Sequence, residues 1–108
     1  MPEQEQSSAA EKLSGLDPVI HAPARLSILA VLAVVEKADF VFIQNQTKLT
    51  RGNLSVHLSK LEAAGYIAVE KKFIKRVPRT ILSLTKQGRA AFNDYRKQLD
   101  AALSKLPK

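Results

Sequence analysis

Small hydrogen-bonding side chains and cations, rather than nucleophiles, are what the middle of this 108-residue chain offers for chemistry. Thr50, Gly52, Asn53, Ser55 and Ser59 fall in one short stretch, with Val56 among them and Arg51 and Lys60 near its two ends. Amides and hydroxyls both donate and accept, so such a set suits base edges and phosphate oxygens. A run of cations follows at Lys72, Lys75, Arg76 and Arg79. Between Lys48 and Arg89 the positive side chains are opposed only by Glu62 and Glu70, in a chain whose net charge is +7. Charge concentrated this way attracts polyanions, nucleic acid before an acidic membrane surface.

Other chemistries are poorly provided for. The chain has no cysteine, which excludes disulfides, thiolate zinc sites and thiol redox sensing. Neither His21 nor His57 stands near carboxylates at a metal-ligand spacing, and no nucleophile and base pair or Gly-rich phosphate loop is present. No enzyme activity, metal or cofactor is therefore expected. His57 falls toward the buried side of its helix and reads as a packed histidine donating to a backbone carbonyl. The apolar stretch Ile28 to Val35 is too short to cross a bilayer, and the N-terminus MPEQEQSSAAEK is polar and acidic. No membrane partner is expected, and a cytoplasmic location is. A chain of this length makes one domain with a single modest core.

The elements that must position these groups are legible from periodicity and caps. Residues 1–15 read as a flexible polar arm, and residues 16–108 as the folded domain. Asp17 and Pro18 open a short turn of helix. Pro23 then opens a helix to about Lys37, whose apolar residues cover more than one stripe, so that it must be buried on nearly every side. Asp39 caps a helix from Phe40 to Thr47 with Phe40 and Ile43 inward, and Lys48 and Leu49 make the turn. Thr50 caps the next helix, in which Leu54, Leu58 and Leu61 recur at steps of four and three and fix the buried face. Opposite that stripe lie Gly52, Val56, Ser59 and Ala63, with Asn53 and Lys60 on one shoulder and Ser55 on the other. Gly65 leaves the helix in a left-handed conformation. Strands follow at about Tyr66–Phe73 and Arg79–Leu84, with residues 74–78 as a basic hairpin tip.

The last helix starts at a Thr85 cap and runs to about Lys105. Phe92, Tyr95, Leu99, Leu103 and Leu106 form a seam along it. A helix of about 20 residues is about 30 Å long, more than so small a domain needs to cover itself. A second copy of the chain is the expected partner, with Leu29 and Leu32 from the over-apolar helix sharing the interface.

The order of helix, turn, helix, strand, basic turn and strand specifies an α+β, mainly α fold, a winged helix-turn-helix with a two-stranded β-wing and a long C-terminal dimerisation helix. The segment LTRGNLSVHLSKLEAAGYIAVEKKFIKRVPRTILSLTKQGRAAF, with the preceding LDPVIHAPARLSILAVL, resembles the small winged-helix transcriptional regulators related to the MarR and ArsR groups, over about Leu16 to Leu103. That resemblance implies sequence-dependent binding of double-stranded DNA by a homodimer, with base contacts from Arg51, Asn53, Ser55, Val56 and Ser59 and backbone contacts from the wing. The chain departs from MarR proteins in carrying Lys75 before Arg76, where their wing has an Asp. It departs from ArsR proteins in lacking metal ligands.

The function expected is a sequence-specific transcriptional regulator acting on a palindromic operator. The DNA-binding residues are Thr50, Arg51, Gly52, Asn53, Ser55, Val56, Ser59 and Lys60 on the helix and Lys72, Lys75, Arg76 and Arg79 on the wing. A small-molecule effector between the first and last helices is left open, since no polar constellation identifies one. A winged-helix protein-interaction module and an RNA-binding protein are the alternatives. The basic wing disfavours the first, and the scarcity of exposed aromatics disfavours the second.

Overall fold

The computed structural model of the chain describes residues 10, 11 and 13–106. Most of the expected N-terminal arm, residues 1–9 and 12, lies outside them. Residues 10, 11, 13 and 14 are helical, and the Gly15 N–H closes that turn on the Glu11 carbonyl.

Helix α1 spans Pro23–Val35. Pro23 suits the first helical position because its φ is preset and its missing N–H would have been unpaired there anyway. The helix stops at Glu36, whose φ of 70° turns the chain out. Lys37–Asp39 then forms a short strand, β1, although the apolar pattern carries the helix to about Lys37. Three residues are too few for a strand period to show, so only pairing reveals it. Asp39 ends β1 and caps α2, Phe40–Thr47, accepting from the Phe42 N–H at 2.8 Å. Lys48 adopts a left-handed conformation in the turn, and the Thr50 hydroxyl accepts from the Asn53 N–H to start α3, Arg51–Ala63.

Strands β2, Ile67–Ile74, and β3, Val77–Leu84, make the wing, and β3 also pairs with β1. The result is a three-stranded antiparallel sheet of order β1-β3-β2. The expected two-stranded wing is thus anchored at its base by an extra strand. Ile74 pairs with Val77, so the tip is only Lys75 and Arg76, both with positive φ, as a tight hairpin turn of that length requires. Pro78 sits inside β3, opposite Phe73, not in the loop. Helix α4, Lys86–Leu103, follows a Thr85 cap that accepts from the Gly88 N–H.

The core gathers Ile28, Leu29 and Leu32 of α1, Ile43 of α2, Leu54, Leu58 and Leu61 of α3, Ile67 and Leu82 of the sheet, and Phe92 and Tyr95 of α4. Leu16 and Ile20, from the segment before α1, close one side of it. Burial of each leucine of α3 contributes about 1.5–3 kcal/mol, which holds that helix against the rest of the domain. Two expectations change. Helix α1 is not buried on every side, since Val34 is 82% exposed. Leu29, Leu32, Phe92 and Tyr95, expected to meet a second copy, are consumed by the chain's own core; Leu99 is half-buried, and only Leu103 and Leu106 of that set are exposed.

Candidate nucleic-acid interface

The outer face of α3 follows from its inner one. With Leu54, Leu58 and Leu61 buried, Arg51, Gly52, Asn53, Ser55, Val56, Ser59, Lys60 and Ala63 are all exposed, as is the cap Thr50. Val56 is an apolar side chain left half in water, and its neighbours are small enough to let a partner's atoms approach closely. Arg51 is fixed by its guanidinium stacking over the Phe40 ring, 5.2 Å from the centroid. Its charge stays exposed, at the N-terminal end of α3.

The exit from α3 is locked. Gly65 turns out at φ 81°, the Tyr66 N–H donates to the Leu61 carbonyl, and the Thr85 N–H donates to the Tyr66 carbonyl at 3.0 Å. The Thr85 hydroxyl also donates to the Gly65 carbonyl at 2.6 Å. Gly88 lies so close to this strand that a Cβ there would collide with the Tyr66 carbonyl oxygen. The Tyr66 hydroxyl donates to the Asp17 carboxylate, and that bond, then burial, pushes the phenol up to about 12. Helix α3, the root of the wing and α4 therefore meet at one rigid joint.

Beyond the joint the wing has little to rest on. Every residue from Lys71 to Arg79 is exposed, including Phe73, Ile74 and Val77. Lys75 and Arg76 are at the tip, and among the described residues neither makes an ion pair. Lys72 pairs with Glu70 at 3.4 Å in water, an attraction of little net value. Arg79 is different: it meets Asp39 at 3.5 Å. Asp39 caps α2 with one carboxylate oxygen and braces the wing with the other, so a brace exists although Lys75 replaces the Asp of the MarR pattern.

Between α3 and the wing runs a groove of about 430 Å³, lined by Arg51, Ser55, Leu58 and Ser59 on one side and by Val69, Lys71, Arg79 and Thr80 on the other. Lys71 is a site residue that the sequence reading does not include; it faces this groove because the strand register sets it opposite Thr80. Asp39 and Glu62 line it as well, so Arg51, Lys71 and Arg79 face two carboxylates there, and the groove does not lie between the first and last helices.

His57 has a different partner from the one expected. Its ring is half-buried, and Nδ1 lies 3.2 Å from Nη1 of Arg25, not against a carbonyl. Burial, then the charges of Arg25 and Lys60, hold its pKa below the usual histidine value, which favours the neutral ring. His21 instead contacts the Tyr95 hydroxyl at 2.8 Å. Among the described residues no group of three or more potential ligands is placed to hold a metal ion, and no helix is long and apolar enough to cross a membrane.

The family model described as "Winged helix DNA-binding domain" matches residues 24–103, and the chain belongs to that family. It is 38% identical over 77 residues to an uncharacterized protein of Methanocaldococcus jannaschii, spanning 71% of this chain and 84% of that one. Among solved structures, a transcriptional regulator homologue from Pyrococcus horikoshii OT3 is similar with a TM-score of 0.82 and 31% identity, over 87% of this chain and 95% of that one. The transcriptional repressor CouR, solved bound to a 23-mer DNA duplex, superposes with a TM-score of 0.72 and 25% identity, over 93% and 70% of the two chains. A MarR-family regulator from Silicibacter pomeroyi shares the fold, with a TM-score of 0.63 and 17% identity, over 94% and 68%. The winged-helix fold, the DNA-binding family and the MarR-like architecture expected from the sequence are those found.

Proposed function

We propose that this winged-helix protein is a sequence-specific transcriptional regulator, a binding protein rather than an enzyme, that acts as a cytoplasmic homodimer on a palindromic operator. One observation carries the reading: α3 spends all its leucines on the core and turns outward a face of small, hydrogen-bonding residues, beside a wing whose tip cations have no ion-pair partner among the described residues. A helix of that kind fits the major groove, where Asn53, Ser55 and Ser59 reach base edges and Val56 meets a thymine methyl. Lys75 and Arg76 then lie against phosphates or the adjacent minor groove. The repressor CouR, bound to DNA in its own structure, supports DNA as the partner.

The dimer is proposed through the end of α4 and the turn after it, where Leu103 and Leu106 are exposed and Leu99 is half-buried. Two-fold symmetry then sets two copies of α3 about one DNA turn apart, roughly 34–36 Å. Residues 16–108 form the working unit, with residues 1–15 as an arm. A small-molecule effector remains part of the proposal without a site.

Selection of bound sequences from a random DNA pool, with sedimentation at micromolar concentration, tests both parts. A palindromic consensus with half-sites one turn apart and a dimer in solution are the expected results. Recovery of no consensus sinks sequence-specific regulation, and a monomer at high concentration sinks the symmetric operator.

A further inference from the structure

Beside the outer face of α3, and sharing Lys60 with it, stands one more cationic cluster. Arg25 lies in the first turn of α1, where the helix dipole disfavours a cation. Its guanidinium is nonetheless pinned in place. Nε donates to the Val19 carbonyl at 2.6 Å, Nη2 reaches the Pro18 carbonyl at 3.5 Å, and Nη1 meets His57 Nδ1 at 3.2 Å. Lys60 follows His57 by one helical turn and is exposed. Among the described residues no carboxylate pairs with Arg25 or with Lys60.

The geometry fixes the state of the ring. A guanidinium has only donors, so Nδ1 accepts from Arg25 and the single proton of the neutral imidazole resides on Nε2. Among the described residues Nε2 has no hydrogen-bond partner and no buried side-chain nitrogen is left unpaired, so this N–H is open to solvent. A donor open to solvent therefore stands beside two cations, Arg25 and Lys60, that have no carboxylate partner among the described residues. Arg51, Ser55 and Ser59 border the wing groove, whereas His57 and Lys60 do not. The cluster occupies the other shoulder of α3.

We propose that Arg25, His57 and Lys60 form a phosphate clamp on the shoulder of α3 away from the wing, in which His57 Nε2–H donates to a DNA phosphate oxygen. It rests on the DNA-binding reading above. His57 and Lys60 touch the phosphate. Arg25 is the positioning residue: it sets the tautomer that makes His57 a donor, and it adds its field at the site. With the wing on one side and this clamp on the other, the backbone is gripped on both flanks of the helix, which fixes how the helix is rolled in the groove.

The test uses the full chain and a labelled duplex carrying its selected consensus, read by fluorescence anisotropy, with nitrogen NMR of the two histidines in the free protein. In the wild type His57 is expected almost wholly as the Nε2–H tautomer, and Arg25→Met should relax it toward the smaller Nε2–H excess of a free neutral imidazole. Arg25→Met and His57→Leu should each weaken binding about tenfold for every protomer on the duplex, as expected for a hydrogen bond to a charged group. The double variant should be no weaker than the worse single one, because the two act as a unit. His57→Gln, whose amide donates from nearly the same place, should recover most of the loss. If Arg25→Met does not fold, the His57→Leu and His57→Gln pair decides alone. A protonated Nδ1 in the wild type, loss of less than twofold in His57→Leu, or failure of His57→Gln to recover binding each overturns the clamp while DNA binding stands. A wild-type chain that binds no duplex overturns both.

Discussion

Helix α3 and the wing, the two elements proposed to meet DNA, are built in opposite ways. The helix is capped by Thr50, fixed by three buried leucines, and locked at its exit by Gly65, Tyr66, Thr85 and Gly88. The distal wing is exposed from Lys71 to Arg79 and is steadied by its ladder and by the Asp39 brace on Arg79. Readout of bases demands placement to a fraction of an ångström, because a misplaced amide loses its hydrogen bonds. Attraction to phosphates falls off slowly with distance and tolerates motion. Rigid core packing is thus given to the element with small polar groups, and charge to the element that stands free of the core.

The largest expected effect strikes the joint that makes α3 rigid. Alanine normally favours a helix over glycine, yet Gly88→Ala drives a methyl against the Tyr66 carbonyl and is expected to destabilise the domain by about 3 kcal/mol or more. Chemical denaturation measures it, and a neutral outcome would show that the joint is slack. Next come Asn53→Ala and Val56→Ala, each costing about 1–3 kcal/mol at the selected sequence, with scrambled DNA and melting temperature unaffected. Equal losses on both duplexes would erase the distinction between reading helix and charged wing.

The wing tip should trade stability against affinity. Lys75 and Arg76 hold positive φ values of 51° and 68°, where Asn and Gly are far more comfortable. Lys75→Asn with Arg76→Gly is therefore expected to raise stability by about 1 kcal/mol. The same change should weaken binding to any duplex and flatten log K against log salt by about 0.9 for each phosphate that is no longer neutralised. Unchanged affinity would make these cations a solubility device.

The smallest effect is one of pH. His57 has a native pKa below 6.5, so the unfolded chain takes up its proton first as pH falls. Stability tied to the neutral ring is complete above about 6.5 and is lost as pH drops through the native value. The wild type should lose more melting temperature between pH 7 and pH 5 than His57→Gln does, and identical slopes would remove His57 from the account.

Much of this is legible in the sequence. The steps of four and three between Leu54, Leu58 and Leu61, and the caps at Asp39, Thr50 and Thr85, act within a turn or two of chain, so periodicity reports them directly. The basic excess on the wing is composition. The dimer residues are harder: Leu29, Leu32, Phe92 and Tyr95 read as surplus apolar surface because a sequence does not say that the segment carrying Leu16 and Ile20 folds back to complete one core with them. The hairpin tip is shorter than the sequence suggests because Pro78, a common loop residue, sits within β3, where its position opposite Phe73 asks for no donor.

By itself the sequence determined the helices, the exposed face of α3, the charge of the wing and the winged-helix order, since each depends on neighbours a few residues away. Only the tertiary structure decided that Lys37–Asp39 is a strand, that Asp39 braces Arg79, and that Arg25 meets His57. Those pairings join residues far apart in the chain. They exist because packing of the core brings α1 beside α3 and β1 beside β3, and no local pattern in the sequence encodes which side chains then meet.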